Sequence, residues 1–510
     1  MRKSRVVGMA AVAAGSVALL FGASILALRS TWTSNYVERR AISFLEARLN
    51  ARVEVGTIEL ILYPSLAVMG TEFRATRRDS SESVPFVAID RFQISGSPWA
   101  LWRRHVSSIE LDGLELRIVR GASGQPAMTR PKNDVLVDRV VVRNGRLVIV
   151  PRNPQKVPLE FALHEVSVTD FGFDRSSTYA AQITNPKPTA LIQAEGHIGP
   201  WDATDFATTP LDGVYLLANG DLGTIKGIGG ALESSGKFAG VLERIRVEGT
   251  TTSRDFQLKM AGNAVPLETQ YVAIVDGTSG DTILEQVNAT LGSSRLTARG
   301  SIASMPGAKA RAISLRVTAD DARFEDLLRL AIKGDADPPM RGLLNLDTSF
   351  VLPPSDEDIP LRLDLNGTFS IAQGQFTSDA VQDKVDALSR RGRGQPKNQN
   401  VNNVLSAFGG TFALEKGVLS LPRLQFSVNG ARVDLAGNYR LPTETMAFRG
   451  TLSLDAPVSK TVTGFKSILL KAVDPLFRRN GAGTQIPIAI TGTVAKPAFK
   501  VEARRIFSRK

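Results

Sequence analysis

From Val53 onward, apolar and polar residues alternate with a period of two through most of the chain, and this pattern limits the fold more than any other feature. Clear runs are Ile58-Glu59-Leu60-Ile61-Leu62, Ile109-Glu110-Leu111, Leu114-Glu115-Leu116-Arg117-Ile118, Ile313-Ser314-Leu315-Arg316-Val317, Leu361-Arg362-Leu363-Asp364-Leu365 and Ile486-Pro487-Ile488-Ala489-Ile490. Each reads as a strand with one apolar and one polar face. Asn-Gly or Asp-Gly pairs begin at Asp112, Asn144, Asp212, Asn219, Asp276, Asn366, Asn429 and Asn480. They supply the positive φ angles that tight hairpin turns require, and several sit inside alternating runs such as IELDGLELRI and VVVRNGRLVIV. The expectation is a mainly β chain: a long, curled antiparallel meander of about 25 strands with a few short helices. Aromatics at 6% and the lack of a recurring Trp-Asp signature argue against a propeller.

An amphipathic sheet of this length needs its apolar face covered by a second sheet, by helices, by closure into a barrel or by an apolar ligand. Helical sequence is scarce. Val37, Ala41, Phe44, Leu45 and Leu49 give 36–49 a helical face, and Phe324, Leu327, Leu328 and Ala331 do the same for 320–333, where Asp320 or Asp321 supplies a cap. Over 460–476, Val462, Phe465, Leu469, Ala472 and Leu476 form a stripe beside Lys460, Lys466 and Lys471. That pattern suits either a helix on a membrane surface or one packed over the sheet end, with Pro475 bending or ending it. The run 390–403, RRGRGQPKNQNVNN, reads as a basic loop, and 353–358 as an exposed acidic connection. Two coverings remain. Packed β-sandwiches would hold only side chains, whereas a trough on the order of 100 Å long would take acyl chains, leaving headgroups in water. Candidate groove residues are Ile58, Leu60, Leu62, Ile109, Leu111, Leu114, Leu116, Ile118, Leu361, Leu363 and Leu365, although a one-residue register shift would exchange the faces.

At the start, Val6 to Leu28 runs 23 residues without a charge, enough to span a hydrocarbon core of about 30 Å. Val6, Val7, Leu19, Leu20, Phe21, Ile25, Leu26 and Leu28 belong to this anchor, with Trp32 and Tyr36 following at the interface. Arg2, Lys3 and Arg5 place the N-terminus in the cytoplasm and the bulk of the chain across the membrane. The rival reading, a cleaved signal peptide, has a poor cleavage site in Ala27-Leu28-Arg29. Both readings export the rest, which disfavours nucleic acid as a partner. The 62 Lys and Arg against 50 Asp and Glu then fit anionic lipid or a solvated basic face.

Residues for chemistry are sparse. Zero cysteines removes disulfide scaffolds, thiol catalysis and Cys-bound zinc. The three histidines, His105, His164 and His197, lie in separate stretches and read as structural. Gly230 to Phe238 approaches a phosphate-binding loop but has one residue too many between its glycines, and Phe238 replaces the hydroxyl. No G-x-S-x-G, H-E-x-x-H or calcium-loop pattern occurs. The expectation is a non-enzyme without cofactor or metal.

After the anchor, Val53, Val55, Gly56, Ile58, Leu60, Pro64 and Leu66, then Ile109, Leu111, Asp112, Gly113, Leu114, Leu116 and Ile118, resemble the opening of AsmA-like envelope proteins. Gly437, Tyr439, Gly492, Thr493 and Pro497 are similar to that family's C-terminal region. The resemblance covers both ends, roughly half the chain, and weakens between Pro200 and Pro354. It implies an inner-membrane anchor, a periplasmic repeating β-groove, and movement of phospholipid toward the outer membrane. The corresponding regions are 1–28 (tail and anchor), 29–50 (juxtamembrane helix), 51–200 and 201–375 (β-groove), and 376–510 (C-terminal region). A second hypothesis is an assembly factor that engages outer-membrane or other envelope proteins through strand edges. A third is a surface enzyme acting on envelope polysaccharide, which requires a carboxylate cluster.

Overall fold

A computed structural model describes residues 42, 43, 46, 51–61, 66–77, 84–97, 99, 100, 103, 105–119, 136–150, 158–201, 206–259, 262–277, 279–305, 311–332, 337–355, 357–395, 402–457, 483–493 and 496–501. The proposed anchor, Trp32, Tyr36, Leu62 and the 460–476 helix lie outside them. Ile42, Ser43 and Glu46 are helical, and Glu46 accepts the Val53 N–H at 3.1 Å. Among the described residues no helix is long and apolar enough to cross a membrane.

The chain is mainly β and forms two compact units. One holds the described residues up to Ser253 together with Gln270–Thr282; the other holds Arg254–Thr269 and the chain from Ile283. Strands of the first are β1 (Ala51–Glu54), β2 (Ile58–Ile61), β3 (Leu66–Arg77), β4 (Val87–Gly96), β5 (His105–Asp112), β6 (Glu115–Val119), β7 (Leu136–Val150), β8 (Leu159–Phe171), β9 (Ser177–Pro186), β10 (Thr189–Ile198), β11 (Pro210–Asp221), β12 (Ile228–Gly229) and β13 (Ala231–Val241). Next come β14 (Arg244–Leu258), β15 (Val265–Val275) and β16 (Thr282–Leu291). The second unit continues with β17 (Ser294–Ser304), β18 (Arg311–Arg323), helix α1 (Phe324–Ala331), β19 (Met340–Leu352), α2 (Ile359–Arg362), β20 (Asp364–Phe376), α3 (Asp379–Gly392), β21 (Ser406–Glu415), β22 (Val418–Val428), β23 (Ala431–Arg440), β24 (Thr445–Leu454), β25 (Thr484–Thr493) and β26 (Pro497–Val501). Successive strands from β17 to β26 pair antiparallel, as alternation with short connections dictates. An exception to the meander lies in the first unit, where β5 and β6 both run parallel to β7.

The Asn-Gly and Asp-Gly pairs mostly do not form hairpins. Asn429-Gly430 turns between β22 and β23, and Asp276-Gly277 opens the β15–β16 connection. Asp112-Gly113 instead separates two collinear strands, and the pairs at Asn144, Asp212, Asn219 and Asn366 lie inside strands; the pair at Asn480 is outside the described residues. At Asp112-Gly113, Asn144-Gly145 and Asn219-Gly220 the reason is that a positive φ serves a bulge as readily as a turn, whereas Asp212-Gly213 and Asn366-Gly367 keep negative φ and pair as regular strand. Glu72, Gly113, Asn144, Asp170, Asn219, Asp321 and Gln373 all have φ between 49° and 69°. Each falls where the alternation skips to a spacing of three: Gly70/Phe73, Leu111/Leu114, Val142/Gly145, Val168/Phe171, Leu217/Gly220, Ala319/Ala322 and Ile371/Gly374. The extra residue restores the apolar face that a plain strand would invert. Neighbouring bulges are tied together: Asp112 accepts from Asn144 Nδ2 at 2.8 Å and from Arg91, and these hydrogen bonds, Asn144's first, hold its carboxyl below the usual range.

Three further expectations are corrected. The run 361–365 is not one strand, because Pro360 fixes a helical turn through Arg362 and β20 begins at Asp364. The helix expected over 320–333 starts at Phe324; Asp320 and Asp321 belong to the β18 bulge and cap nothing, since Arg323 holds the N-cap position without a side-chain bond. The basic loop begins later than expected, because Arg390, Arg391 and Gly392 are the last turn of α3.

A β-branched residue at a bulge is disfavoured by the left-handed φ, by about 1–2 kcal/mol. Gln373→Val is therefore expected to lower the melting temperature, while Gln373→Gly leaves it equal or higher; circular dichroism of the two variants checks this.

Candidate functional site

Both units carry a continuous apolar face, and the two differ in closure. In the first, cross-strand pairing lines up Ile94, Ile109, Val140, Val168 and Tyr179, then Gly196, Gly213, Phe238 and Val247. A neighbouring row contains Phe92, Leu111, Val142, Val166, Ala181, Ala194 and Tyr215. Every residue of the two rows is buried except Gly196 and Gly213, which are half-buried. Rings fill the space above glycines: Tyr179 and Phe238 meet Gly213, and Tyr215 and Tyr271 meet Gly249. The Tyr215 hydroxyl bonds to those of Tyr271 and Ser234, and burial pushes the Tyr179 and Tyr215 hydroxyls well above the ordinary tyrosine range.

Of the sequence-predicted groove residues, Ile109, Leu111, Leu114 and Leu116 are therefore closed core, between 0% and 5% exposed. Ile58 is exposed on β2. Leu60 and Ile118 lie in β2 and β6, and Leu62 is outside the described residues.

In the second unit, paired positions run Leu315, Phe350, Leu365, Leu414, Leu419, Tyr439 and Met446. A second row runs Ala319, Leu346, Phe369, Gly410, Leu424, Leu435, Gly450, Ile488 and Val501. A third runs Leu344, Ile371, Phe408, Phe426, Val433, Leu452 and Ile486. The opposite face is polar or small, with Arg316 held bidentately by Asp347 at 2.9 and 2.6 Å and Arg432 by Asp434 at 2.9 Å. Here most apolar side chains are only half-buried. Leu365 belongs to this face, Leu363 sits just before it, and Leu361 stands exposed on α2.

Among the described residues, helices cover one margin of the face. Phe324, Leu327 and Leu328 of α1 pack on Ala319, Ala322, Leu344 and Ile371, and Val385 of α3 packs on Val428, Ala431 and Leu454. Helix α3 escaped the periodicity reading because most of its buried positions are polar. Gln382 donates to Asp386 at 2.8 Å and accepts the Phe376 N–H at 3.0 Å, while Asp386 accepts the Asn403 and Val404 N–H groups at 2.9 Å each. At the other extreme, β26 exposes Phe499 at 73% and Val501 at 60%.

The apolar face also carries glycines that the sequence reading passed over. A Cβ at Gly367, Gly410, Gly437 or Gly450 would enter the carbonyl oxygen of the adjacent strand, so the strands close toward the apolar side there. Their parity in the alternation was the available signal.

Among the described residues no cluster of three His, Asp or Glu could hold a metal. His105 pairs with Asp138, His164 with Thr184 at 2.8 Å and His197 with Asp212 at 3.2 Å, all on exposed surface. The chain matches no protein-family model, no curated protein and no solved structure.

Gly409 and Gly410 provide an internal comparison, since a Cβ at Gly409 would meet its nearest atom at 3.4 Å. Gly410→Ala is expected to cost on the order of 1–3 kcal/mol in overpacking, and Gly409→Ala to be near neutral, as read by chemical denaturation.

Proposed function

We propose that this chain is a membrane-anchored periplasmic protein that binds phospholipid and conducts it, or hands it on, along an apolar β-groove toward the outer membrane. The observation that carries this reading is the half-open apolar face of the second unit, continuous from β18 to β26 and covered by α1 and α3 along one margin. Nine strands at about 4.8 Å spacing give a path of roughly 40 Å, more than twice the depth of one bilayer leaflet at about 15 Å. Water against such a face is unfavourable by about 25 cal/mol per Å², and acyl chains remove that cost without needing specific polar partners. The close approach of neighbouring backbone on the apolar side of the face glycines supports a trough-shaped sheet. The N-terminal apolar span supplies the anchor, and the AsmA-like residues at both ends agree with this placement. The reading is non-enzymatic and requires no cofactor.

A second reading, an assembly factor for envelope proteins, is favoured by β26. The Lys496 N–H donates to the Thr493 carbonyl at 3.1 Å, which makes that pair the hydrogen-bonded one. Alternation then points the backbone groups of Phe499 and Val501 away from β25, available to an added strand.

Photo-crosslinkers at Phe369 and Leu435, with Thr368 and Asp434 as opposite-face controls, separate the two readings in intact cells. The lipid reading expects lipid adducts several-fold enriched at Phe369 and Leu435. Equal labelling of both faces, or protein adducts at Phe499 with lipid at none of the positions, overturns it.

A further inference from the structure

We infer that the C-terminal turn of α3 is a binding site for the anionic phosphate headgroup of a lipid whose acyl chains lie on the neighbouring apolar face. The inference rests on the lipid-binding reading and narrows its ligand class. Arg390, Arg391 and Arg393 fall within four positions at the end of the helix, and none forms an ion pair with a carboxylate of the described residues. Arg316 and Arg432 of the same unit are, by contrast, paired. Asp455 stands on the same margin, its N–H given to the Gly430 carbonyl at 3.1 Å, yet its carboxylate makes no bond to these arginines.

The turn is firmly seated. Ser389 Oγ donates to the Asn429 carbonyl at 2.7 Å, and the Ala456 N–H donates to the Gly392 carbonyl at 2.8 Å. Gly392 lies against the Gly430 carbonyl so closely that no Cβ fits, and the stem of Arg393 lies against Gly430 itself. The Arg393 Nε is buried and has no acceptor among the described residues. A buried guanidinium N–H without a partner is costly, and a phosphate oxygen satisfies it with a charge-assisted bond. Val428, Ala431 and Leu454, buried against Val385 of α3, are followed on the same face by the half-buried Phe426, Val433 and Leu452, so the end of the helix stands one step of the alternation from open apolar surface. That juxtaposition matches an amphiphile with a phosphate at its polar end, and charge complementarity selects an anionic lipid over a zwitterionic or neutral one.

The test is native mass spectrometry of the full chain released from detergent with an equimolar mixture of phosphatidylglycerol and phosphatidylcholine of identical acyl chains. The wild type is expected to retain phosphatidylglycerol about tenfold over phosphatidylcholine, because both offer a phosphate but the choline brings a positive charge up to the three arginines. Arg390→Gln/Arg391→Gln/Arg393→Gln should bring the ratio near one with total lipid unchanged, and the three Arg→Lys replacements should keep most of the preference. Added salt should erode the wild-type preference, a readout that does not depend on any variant folding. Equal retention of the two lipids by the wild type, or a preference that survives the Gln variant and salt, overturns the headgroup site and leaves lipid binding standing. No retained lipid of either kind overturns the lipid-binding reading itself, and Phe369→Asp, which alters only the apolar face, should lower both lipids together.

Discussion

Keeping apolar side chains on one side of a sheet through strand after strand is the constraint on which the rest of this structure depends. Period two achieves it within a strand, and antiparallel pairing passes it to the next. Each interruption threatens it, because one extra residue sends every later side chain to the wrong face. The chain answers with left-handed residues at the interruptions. From Glu72 in β3 to Gln373 in β20 the same device recurs, an apolar residue, two polar or small ones, and an apolar residue again, with the third position at positive φ. The result is a pair of faces that remain apolar although the strands carrying them are irregular.

The two units spend that face differently. In the first, tyrosine and phenylalanine rings lie over glycines and close it, so burial there contributes stability, roughly 1.5–3 kcal/mol for each fully buried large side chain. In the second, leucine and phenylalanine remain half-open to the surroundings, although its face glycines, like Gly213 and Gly249 of the first, have neighbouring backbone as their nearest contact. The helices there act as margins. Asp326 of α1 fastens it by accepting from Ser293 N–H at 2.8 Å and Ser294 Oγ at 2.9 Å, and Asp386 does the equivalent for α3. A closed core and a half-open face thus arise from one binary pattern, and the depth to which the side chains are buried separates them.

The β class, a strand count of about 25 against the 26 among the described residues, and the existence of two-faced strands were legible in the sequence. What alternation could not give was the distinction between a turn and a bulge, since Asn144-Gly145 and Asn429-Gly430 are the same dipeptide with the same backbone preference in different surroundings. It also could not tell closed from open: Leu111 and Leu435 have similar local patterns, yet one is 1% exposed and the other half-buried. Helix α3 was invisible for a different reason. Its inward positions include Gln382, Asp386 and Ser389, whose burial depends on hydrogen-bond partners in the segment before β21 and in the β22–β23 turn, neither of which a local pattern reveals.

The bulges carry a further consequence for folding. A meander of alternating strands is nearly degenerate, because sliding any strand by two residues restores apolar to apolar and polar to polar. Left-handed kinks remove that degeneracy: a slipped β7 would set Asn144 away from Gly113 and Asp112, and the pair would no longer nest. In a chain whose hairpins otherwise look alike, these few residues act as alignment keys, giving each strand one seating along its neighbour.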